Sequence, residues 1–265
     1  MSASADNPAG VVPPARDTAG SRAGAAGPAA FPDAAPDRDL LLEARDVHRS
    51  FGQTPALRGA DMAAARGEIL AVMGPSGSGK STLLHCLAGI FPPDRGEIWF
   101  DGRRLDTLGE AERTRLRRTD FGFVFQFGQL IPELTTADNI AMPLLLGRTR
   151  RRDAYRTAHE WLDRLDLAEL GRRRTGELSG GQAQRVAIAR ALATKPKVLF
   201  ADEPTGSLDS LTGELVMDLL LTVARQEGTT VVLVTHDARI AAYAERTVLV
   251  RDGRVTSPAV AGARR

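Results

Sequence analysis

The sequence has little cysteine, little lysine and no long apolar run. A single cysteine, Cys86, in 265 residues excludes a disulfide framework, which fits a reducing cytosol. One cysteine and four scattered histidines provide no zinc-like cluster. No apolar run approaches the roughly 18–20 residues that span a bilayer. The N-terminus shows no basic region followed by an apolar core, so we expect neither a membrane span nor a secretory signal.

The sequence also lacks a large excess of positive or negative residues. The formal net charge is +2, which does not indicate a polyanion binder, and we expect no nucleic-acid partner. Arginine supplies almost all basic residues, and lysine occurs only at Lys80, Lys195 and Lys197. Lys80 therefore stands out in the chain.

The composition changes twice along the chain. Residues 1–38 are rich in Ala, Pro, Gly, Ser and Asp without apolar periodicity, which predicts a disordered tail, and residues 257–265 are predicted to be a flexible tail. Residues 39–256 alternate short apolar strand patterns with helical ones. This predicts an α/β domain with a mostly parallel sheet covered on both faces, and a helical subdomain inserted at about residues 103–175.

One glycine-rich stretch, GPSGSGKST, matches the phosphate-loop pattern and lies between a predicted strand and a predicted helix. Its glycines let backbone N–H groups turn toward phosphate oxygens. Lys80 is predicted to bridge the β- and γ-phosphates and Ser81 to ligate Mg²⁺. The alternative is a Gly/Ser turn that merely caps a helix. The predicted nucleotide-binding residues here are Gly74, Pro75, Ser76, Gly77, Ser78, Gly79, Lys80, Ser81 and Thr82.

Two carboxylates follow the apolar strand pattern KVLFADEP. Asp202 is predicted to hold Mg²⁺ through water, and Glu203 to orient or deprotonate the water that attacks the γ-phosphate. The alternative is that both are ordinary acidic residues at a strand end. Their position after a phosphate loop and a buried strand favours the catalytic interpretation.

The roles of three further side chains can be assigned only from the motifs in which they occur. Gln126 ends the strand pattern FGFVFQ and can contact Mg²⁺ or the attacking water, or it is a solvated strand end. His236 ends VVLVTH and can hydrogen-bond the γ-phosphate, although a lone histidine there is more often structural. Phe51 precedes a glycine and can stack on adenine, with a core or hydrophobic-staple role as the competing interpretation.

A second glycine-rich turn opens the stretch LSGGQAQRVAIARAL. Ser179 is a good N-cap residue, and an Ala-rich, apolar-periodic segment follows it. A helix N-terminus of this kind favours an anion, yet it lies about a hundred residues after the phosphate loop. The residues predicted to face nucleotide at this turn are Ser179, Gly180, Gly181 and Gln182.

These motifs in this order resemble the ATP-binding subunits of ABC transporters over about residues 39–256. The resemblance rests on the phosphate loop, FGFVFQ, LSGGQ, VLFADEP, SLD and VTH. It implies a P-loop NTPase of ABC type with an added antiparallel β portion. It also implies that Gln126 lies in the Q-loop, Asp209 in the D-loop and His236 at the switch position, and that Phe51 stacks on adenine.

The resemblance further implies a head-to-tail dimer in which LSGGQ of one chain covers ATP on the phosphate loop of the other. Longer matches such as LFADEPTGSLDS are similar to the macrolide-exporter, lipoprotein-release and peptide-antibiotic-exporter branch. They imply an ATPase, using ATP and Mg²⁺, on the inner face of the plasma membrane. It would power a permease on a separate chain and export a peptide, lipid-linked or drug-like substrate.

Two other functions stay open at this point. The same ATPase could drive a membrane partner that controls a cell-wall hydrolase or a sensor kinase without transport. A soluble ABC ATPase of DNA repair or translation is the third hypothesis, although the usual second ATPase domain, coiled coil or zinc insert is missing. The arginine-rich stretches RTRLRR and GRTRRRDAYR face either anionic lipid headgroups or simply solvent.

Overall fold

The computed structural model describes residues 39–256, and the tails predicted at 1–38 and 257–265 lie outside the described residues. The strands are β1 Leu40–Phe51, β2 Thr54–Ala65, β3 Ile69–Met73, β4 Arg95–Phe100, β5 Arg103–Arg104, β6 Phe121–Phe125, β7 Val198–Asp202, β8 Thr230–Thr235, β9 Arg246–Arg251 and β10 Arg254–Thr256. The α-helices are α1 Lys80–Leu87, α2 Glu110–Thr119, α3 Thr136–Leu146, α4 Arg151–Arg164, α5 Gly180–Leu192, α6 Ser210–Glu227 and α7 Ala238–Ala241. This succession of strands and helices confirms the α/β prediction.

The first sheet is antiparallel, with the strand order β2-β1-β4-β5. Its β4–β5 hairpin turns at Asp101 and Gly102, whose φ angles are 51° and 73°. Two positive φ angles are what a two-residue turn of the primed type needs, and Asp-Gly adopts them at low cost. Asp101-Gly102 therefore forms the tight turn that this dipeptide favours.

The second sheet has the order β10-β9-β3-β8-β7-β6, and all neighbouring pairs from β9 to β6 are parallel. Strand β8 of this sheet shows why its strands are continuous apolar runs in the sequence. Val231 and Leu233 pack into one buried cluster, whereas Val232 and Val234 pack into another on the opposite face. A strand buried on both faces has no polar face to alternate with.

The two buried clusters hold different elements on the two faces of the parallel sheet. One contains residues of α1 and the antiparallel sheet, and the other contains residues of α3, α4, α5 and α6. Cys86 of α1 is fully buried in the first cluster, and this burial raises the pKa of its thiol to about 12. Cys86 is therefore a packing residue of this cluster.

The helical block predicted at about residues 103–175 begins too early. That range holds β5 of the antiparallel sheet and β6 of the parallel sheet before α3 starts at Thr136. Phe121 and Val124 of β6 are buried, so this segment extends the sheet instead of leaving it. The stretch without strands contains α3, α4 and two short 3₁₀ turns, and its status as a separate subdomain stays a prediction.

None of the helices found in residues 39–256 combines the length and apolar character needed to cross a bilayer.

Candidate functional site

Four parallel strands end at one edge of the second sheet. Met73 at the end of β3 pairs with Thr235 of β8, and Asp202 at the end of β7 pairs with both Val234 and Phe125. The residues that follow these ends therefore share one edge, since parallel strands point the same way. They are Gly74, Gln126, Glu203 and His236. The carboxyl edge of such a sheet is where open α/β proteins bind ligands.

The phosphate loop joins β3 to α1. Gly74, Gly77 and Gly79 have φ angles of 152°, 77° and 106°, values that residues with a side chain rarely adopt. The loop is held from outside by the β9–β10 turn, because the Gly253 N–H donates to Ser78 O at 3.0 Å. This hydrogen bond ties the loop backbone to the β9–β10 turn.

Lys80 is 8% exposed, and its Nζ donates to the Gly74 and Pro75 carbonyl oxygens at 2.9 Å each. A buried ammonium with only carbonyl partners favours an anion beside it. The Ser78 Oγ is buried and finds no hydrogen-bond partner among the described residues. A cation and an unsatisfied hydroxyl in one glycine-lined loop fit the phosphates of a nucleotide.

Gly74→Ala is expected to lower the free energy of unfolding by about 3 kcal/mol or more, because backbone would have to move. A Cβ at this residue would lie 2.2 Å from the Val250 carbonyl oxygen. Gly77→Ala is the matched control, since its Cβ would meet nothing within 4 Å and only the left-handed backbone would cost about 1–2 kcal/mol. Urea unfolding measures both variants, and equal losses would contradict the packing argument.

Glu203 and His236 lie side by side at the carboxyl edge. His236 Nδ1 is 2.7 Å from Glu203 Oε1, and the Glu203 N–H donates to Val234 O at 2.9 Å. Glu203 has a φ angle of 49°, a left-handed conformation that costs a residue with a side chain about 1–2 kcal/mol. Strain of this kind persists where the surroundings impose it, and it is common at functional sites. The two predicted catalytic side chains are brought together.

Gln126 lies directly after β6, against the turn that follows Glu203. Its main-chain carbonyl oxygen accepts a hydrogen bond from Ser207 Oγ at 2.6 Å, and a Cβ on Gly206 would come within 2.8 Å of its side-chain Nε2. Asp202 is the last residue of β7 and pairs with Phe125, the residue before Gln126. The structure therefore places all four predicted polar side chains at one edge.

The second glycine-rich turn begins α5, and Ser179 is its N-cap as the sequence predicts. The Gln182 N–H donates to Ser179 Oγ at 3.3 Å, and the Ser179 N–H donates to Gln182 Oε1 at 2.9 Å. Gln182, which was predicted to face nucleotide, thus uses its side chain to cap its own helix. Ser179 and Gly180 are exposed at the surface.

The N-terminus of α6 lies beside that of α5. Asp209 caps α6 by accepting the Thr212 N–H at 3.0 Å, and this bond to Thr212 lowers the pKa of the Asp209 carboxyl. A cavity of about 410 Å³ next to Ser179 is lined by α4, α5, α6 and the residues after α4, with no residue of the phosphate loop. The structure does not bring the two glycine-rich turns together in this cavity.

Phe51 at the end of β1 is 50% exposed, which contradicts its core interpretation. Its ring meets the edge of Phe91 with centroids 5.7 Å apart, and the Arg49 guanidinium lies 5.4 Å from its centroid. The ring is thus held at the surface with part of its area free.

Two residues of α5 that the sequence interpretation missed brace the segment after Gln126. Gln184 Nε2 donates to Phe125 O at 3.0 Å, and the Arg190 guanidinium donates to Gly128 O and Gln129 O at 2.7 Å each. The available sequence signal was Gln184, a polar residue within the apolar pattern that follows LSGGQ, and the structure leaves it 2% exposed. The same helix therefore carries the Ser179 turn at its start and holds the Gln126 segment further along.

Comparisons with known proteins identify the family of this chain. The ABC transporter family model matches residues 57–206. The lipoprotein-releasing system ATP-binding protein LolD of Geobacter metallireducens is 44% identical over 221 residues, which cover 82% of this chain and 98% of that protein. The dimeric post-hydrolysis structure of the ATP-binding cassette MJ0796 with ADP and Pi is 38% identical with a TM-score of 0.76, covering 84% of this chain and all of that chain.

A further solved structure, cbiO1 from Clostridium perfringens, is 32% identical with a TM-score of 0.75 and covers 82% of this chain and 87% of that one. It is described as part of the ABC transporter complex cbiONQ. The family match and these relatives agree in naming ATP-binding subunits or cassettes of ABC transporters. The chain therefore belongs to the ABC transporter family, as an ATP-binding subunit that hydrolyses ATP.

Proposed function

We propose that two copies of this chain close around two ATP molecules and drive a permease on a separate chain. One observation carries the proposal. The structure offers two glycine-rich helix N-termini suited to phosphate, one at the carboxyl edge and the other exposed beside α6. A second copy can bring its Ser179 turn to the nucleotide held by Lys80.

The phosphate loop would hold the triphosphate. Lys80 Nζ would exchange the carbonyls of Gly74 and Pro75 for β- and γ-phosphate oxygens, a stronger charge-assisted bond. Ser76 to Ser78 and Thr82 would add backbone N–H or hydroxyl donors around them. Burial of Lys80 strengthens this attraction, because the local dielectric is lower than in water.

No group of three or more His, Cys, Asp and Glu side chains in residues 39–256 is placed to hold a metal ion. A Mg²⁺ ion that arrives with ATP would instead rely on phosphate oxygens and water. Ser81, exposed at the second position of α1, would supply a hydroxyl ligand, with Gln126 and Asp202 beside it. Bound there, Mg²⁺ neutralises charge on the β- and γ-phosphates.

Glu203 would take the proton of the attacking water. His236 holds that carboxyl through Nδ1 at 2.7 Å, and its Nε2 has no partner among the described residues, so it can bond the γ-phosphate. Gln126 contacts the turn after Glu203 and would help to position the water. General-base assistance of this kind contributes about 10²–10⁴-fold.

The second copy would supply Ser179, Gly180 and Gly181 on the far side of the γ-phosphate, with Asp209 next to them. The exposed N-terminus of α5 carries a positive partial charge that suits an anion. The dimeric cassette among the structural relatives supports this arrangement. Phe51 would stack on the adenine ring, since its ring is held by Phe91 and half exposed.

The membrane partner would meet the segment after Gln126. Phe127 there is 75% exposed, and Arg190 fixes the turn beside it. An exposed aromatic on a braced turn fits a protein contact, because such residues commonly anchor interfaces. The chain would then work in the cytoplasm, peripheral on the inner face of the plasma membrane. The relatives named as lipoprotein-releasing system ATP-binding proteins favour a lipid-linked cargo.

Phe127→Ser is expected to abolish retention of the permease on the purified chain, since it removes the anchor. Leu211→Ser is the matched control, because Leu211 is 69% exposed but lies on α6. The measurement is affinity purification of each tagged variant from solubilised native membranes, with the retained integral membrane proteins identified by mass spectrometry. Retention of soluble repair or translation factors, with no permease in any sample, would contradict the proposal.

A further inference from the structure

We infer that the basic corner, residues 145–152 between α3 and α4, binds the anionic lipid headgroups of a bilayer surface. The corner contains Leu145 and Leu146 at the end of α3, followed by arginines on the loop and at the start of α4. These arginines are Arg148, Arg150, Arg151 and Arg152. Both leucines and all four arginines are exposed.

In residues 39–256, no arginine of the basic corner forms a hydrogen bond or ion pair with a carboxylate, and only Arg151 acts on one through its charge, helping to lower the pKa of Asp138. In the described part of the chain, Arg148, Arg150 and Arg152 make no side-chain hydrogen bond or ion pair, and Arg151 lies over the Tyr155 ring at 5.3 Å. The nearby acids are used elsewhere. Asp153 and Glu160 pair with Arg156, and Asp138 accepts from Tyr155.

This charge is a local concentration. The whole chain has 35 basic and 33 acidic residues, whereas residues 145–152 contain four arginines and no acid. Three of these arginines, Arg150, Arg151 and Arg152, also lie at the N-cap and first turn of α4, where the helix dipole disfavours cations. The fold therefore gains little stability from these arginines, and their positions favour an external anion.

The two exposed leucines favour a bilayer surface, and not a free anion, as the ligand of the basic corner. Leu146 is 58% exposed and lines a mostly apolar groove of about 430 Å³ with Met142, Pro143 and Phe123. Arg118 on the same groove has a buried Nε without a hydrogen-bond partner among the described residues. Apolar side chains flanked by unpaired arginines match the boundary between headgroups and acyl chains.

The double variant Arg150→Gln/Arg152→Gln is expected to bind mixed phosphatidylglycerol–phosphatidylcholine vesicles about 30-fold more weakly than the unchanged protein. Arg172→Gln/Arg173→Gln is the matched control with the same charge loss. Both arginines are exposed, at the end of α3 opposite the basic corner, about 16 Å away along an 11-residue helix. Vesicle co-sedimentation of the full chain without nucleotide measures the affinity, so its result is independent of the proposed ATPase dimer.

Leu146→Ser tests the apolar part and is expected to weaken vesicle binding about fivefold. Thermal melting checks that each variant is folded. Three outcomes would overturn the inference. The Arg172/Arg173 control could lose as much vesicle affinity as the Arg150/Arg152 variant, or the unchanged protein could bind pure phosphatidylcholine vesicles as tightly as the mixed ones. The third outcome is that Leu146→Ser leaves vesicle binding unchanged while the protein binds short duplex DNA tightly. The last outcome would assign the basic corner to a nucleic acid.

Discussion

Glu203→Gln is expected to slow ATP hydrolysis by about 10³-fold, within the range of a lost general base, while ATP affinity stays unchanged. The carboxylate lies 2.7 Å from His236 at the carboxyl edge, and an amide there keeps the shape but cannot accept the proton of the attacking water. Phosphate release measures the rate, and titration with a fluorescent ATP analogue measures the affinity.

Glu160→Gln is the control for that substitution. Glu160 is an exposed carboxylate on α4, so the same chemical change there should leave hydrolysis within twofold of the unchanged protein, roughly the scatter of surface substitutions. If Glu203→Gln hydrolysed ATP at the rate of this control, the proposed role of Glu203 would be wrong.

Lys80→Met is expected to weaken ATP binding at least about 100-fold, because a charge-assisted bond to phosphate is worth about 1.5–3 kcal/mol and Lys80 would make more than one. Lys80 is 8% exposed, and methionine fills nearly the same space. The loss of ATP affinity therefore measures the contribution of the positive charge. Lys195→Met is the control, since Lys195 is exposed and precedes β7 at the far end of that strand from Asp202. Calorimetric titration with ATP compares them, and unchanged affinity for Lys80→Met would contradict the phosphate-loop assignment.

Local features of the fold were predictable because local physics determines them. The apolar runs of β3, β7 and β8 are buried strands, Asp101-Gly102 is a tight turn, and Ser179 is an N-cap. Each follows from residues that are close in sequence. The start of the helical block was predicted too early because distant residues determine it. Strand β6 joins the sheet only through pairing with β7, some seventy residues later.

The site depends on the same kind of distant pairing. The register of β7 against β8 sets His236 next to Glu203, and no pattern within either strand specifies that register. The role of Gln182 could not be assigned from sequence either, because its side chain can face a nucleotide or cap its own helix. The structure shows it capping α5. Motif order therefore identified which residues to expect, and long-range packing decided which of them meet.

The two ends of α5 connect the proposed dimer contact to the proposed permease contact. Its N-terminus presents Ser179, and Gln184 and Arg190 hold the segment that carries Gln126 and Phe127. A shift of α5 when a second copy binds or leaves would therefore move Phe127. Such coupling suits a ligand-driven, two-state subunit that moves a membrane partner.

The central claim is that one chain holds only half of each working site. Light scattering after size-exclusion chromatography of Glu203→Gln tests it most directly, with ATP and with ADP. Each chain has a mass of 28.4 kDa. We expect a particle of twice that mass with ATP and a single-chain particle with ADP, because only the γ-phosphate bridges the Lys80 loop of one copy and the Ser179 turn of the other. A single-chain mass with ATP bound at full occupancy would contradict the account.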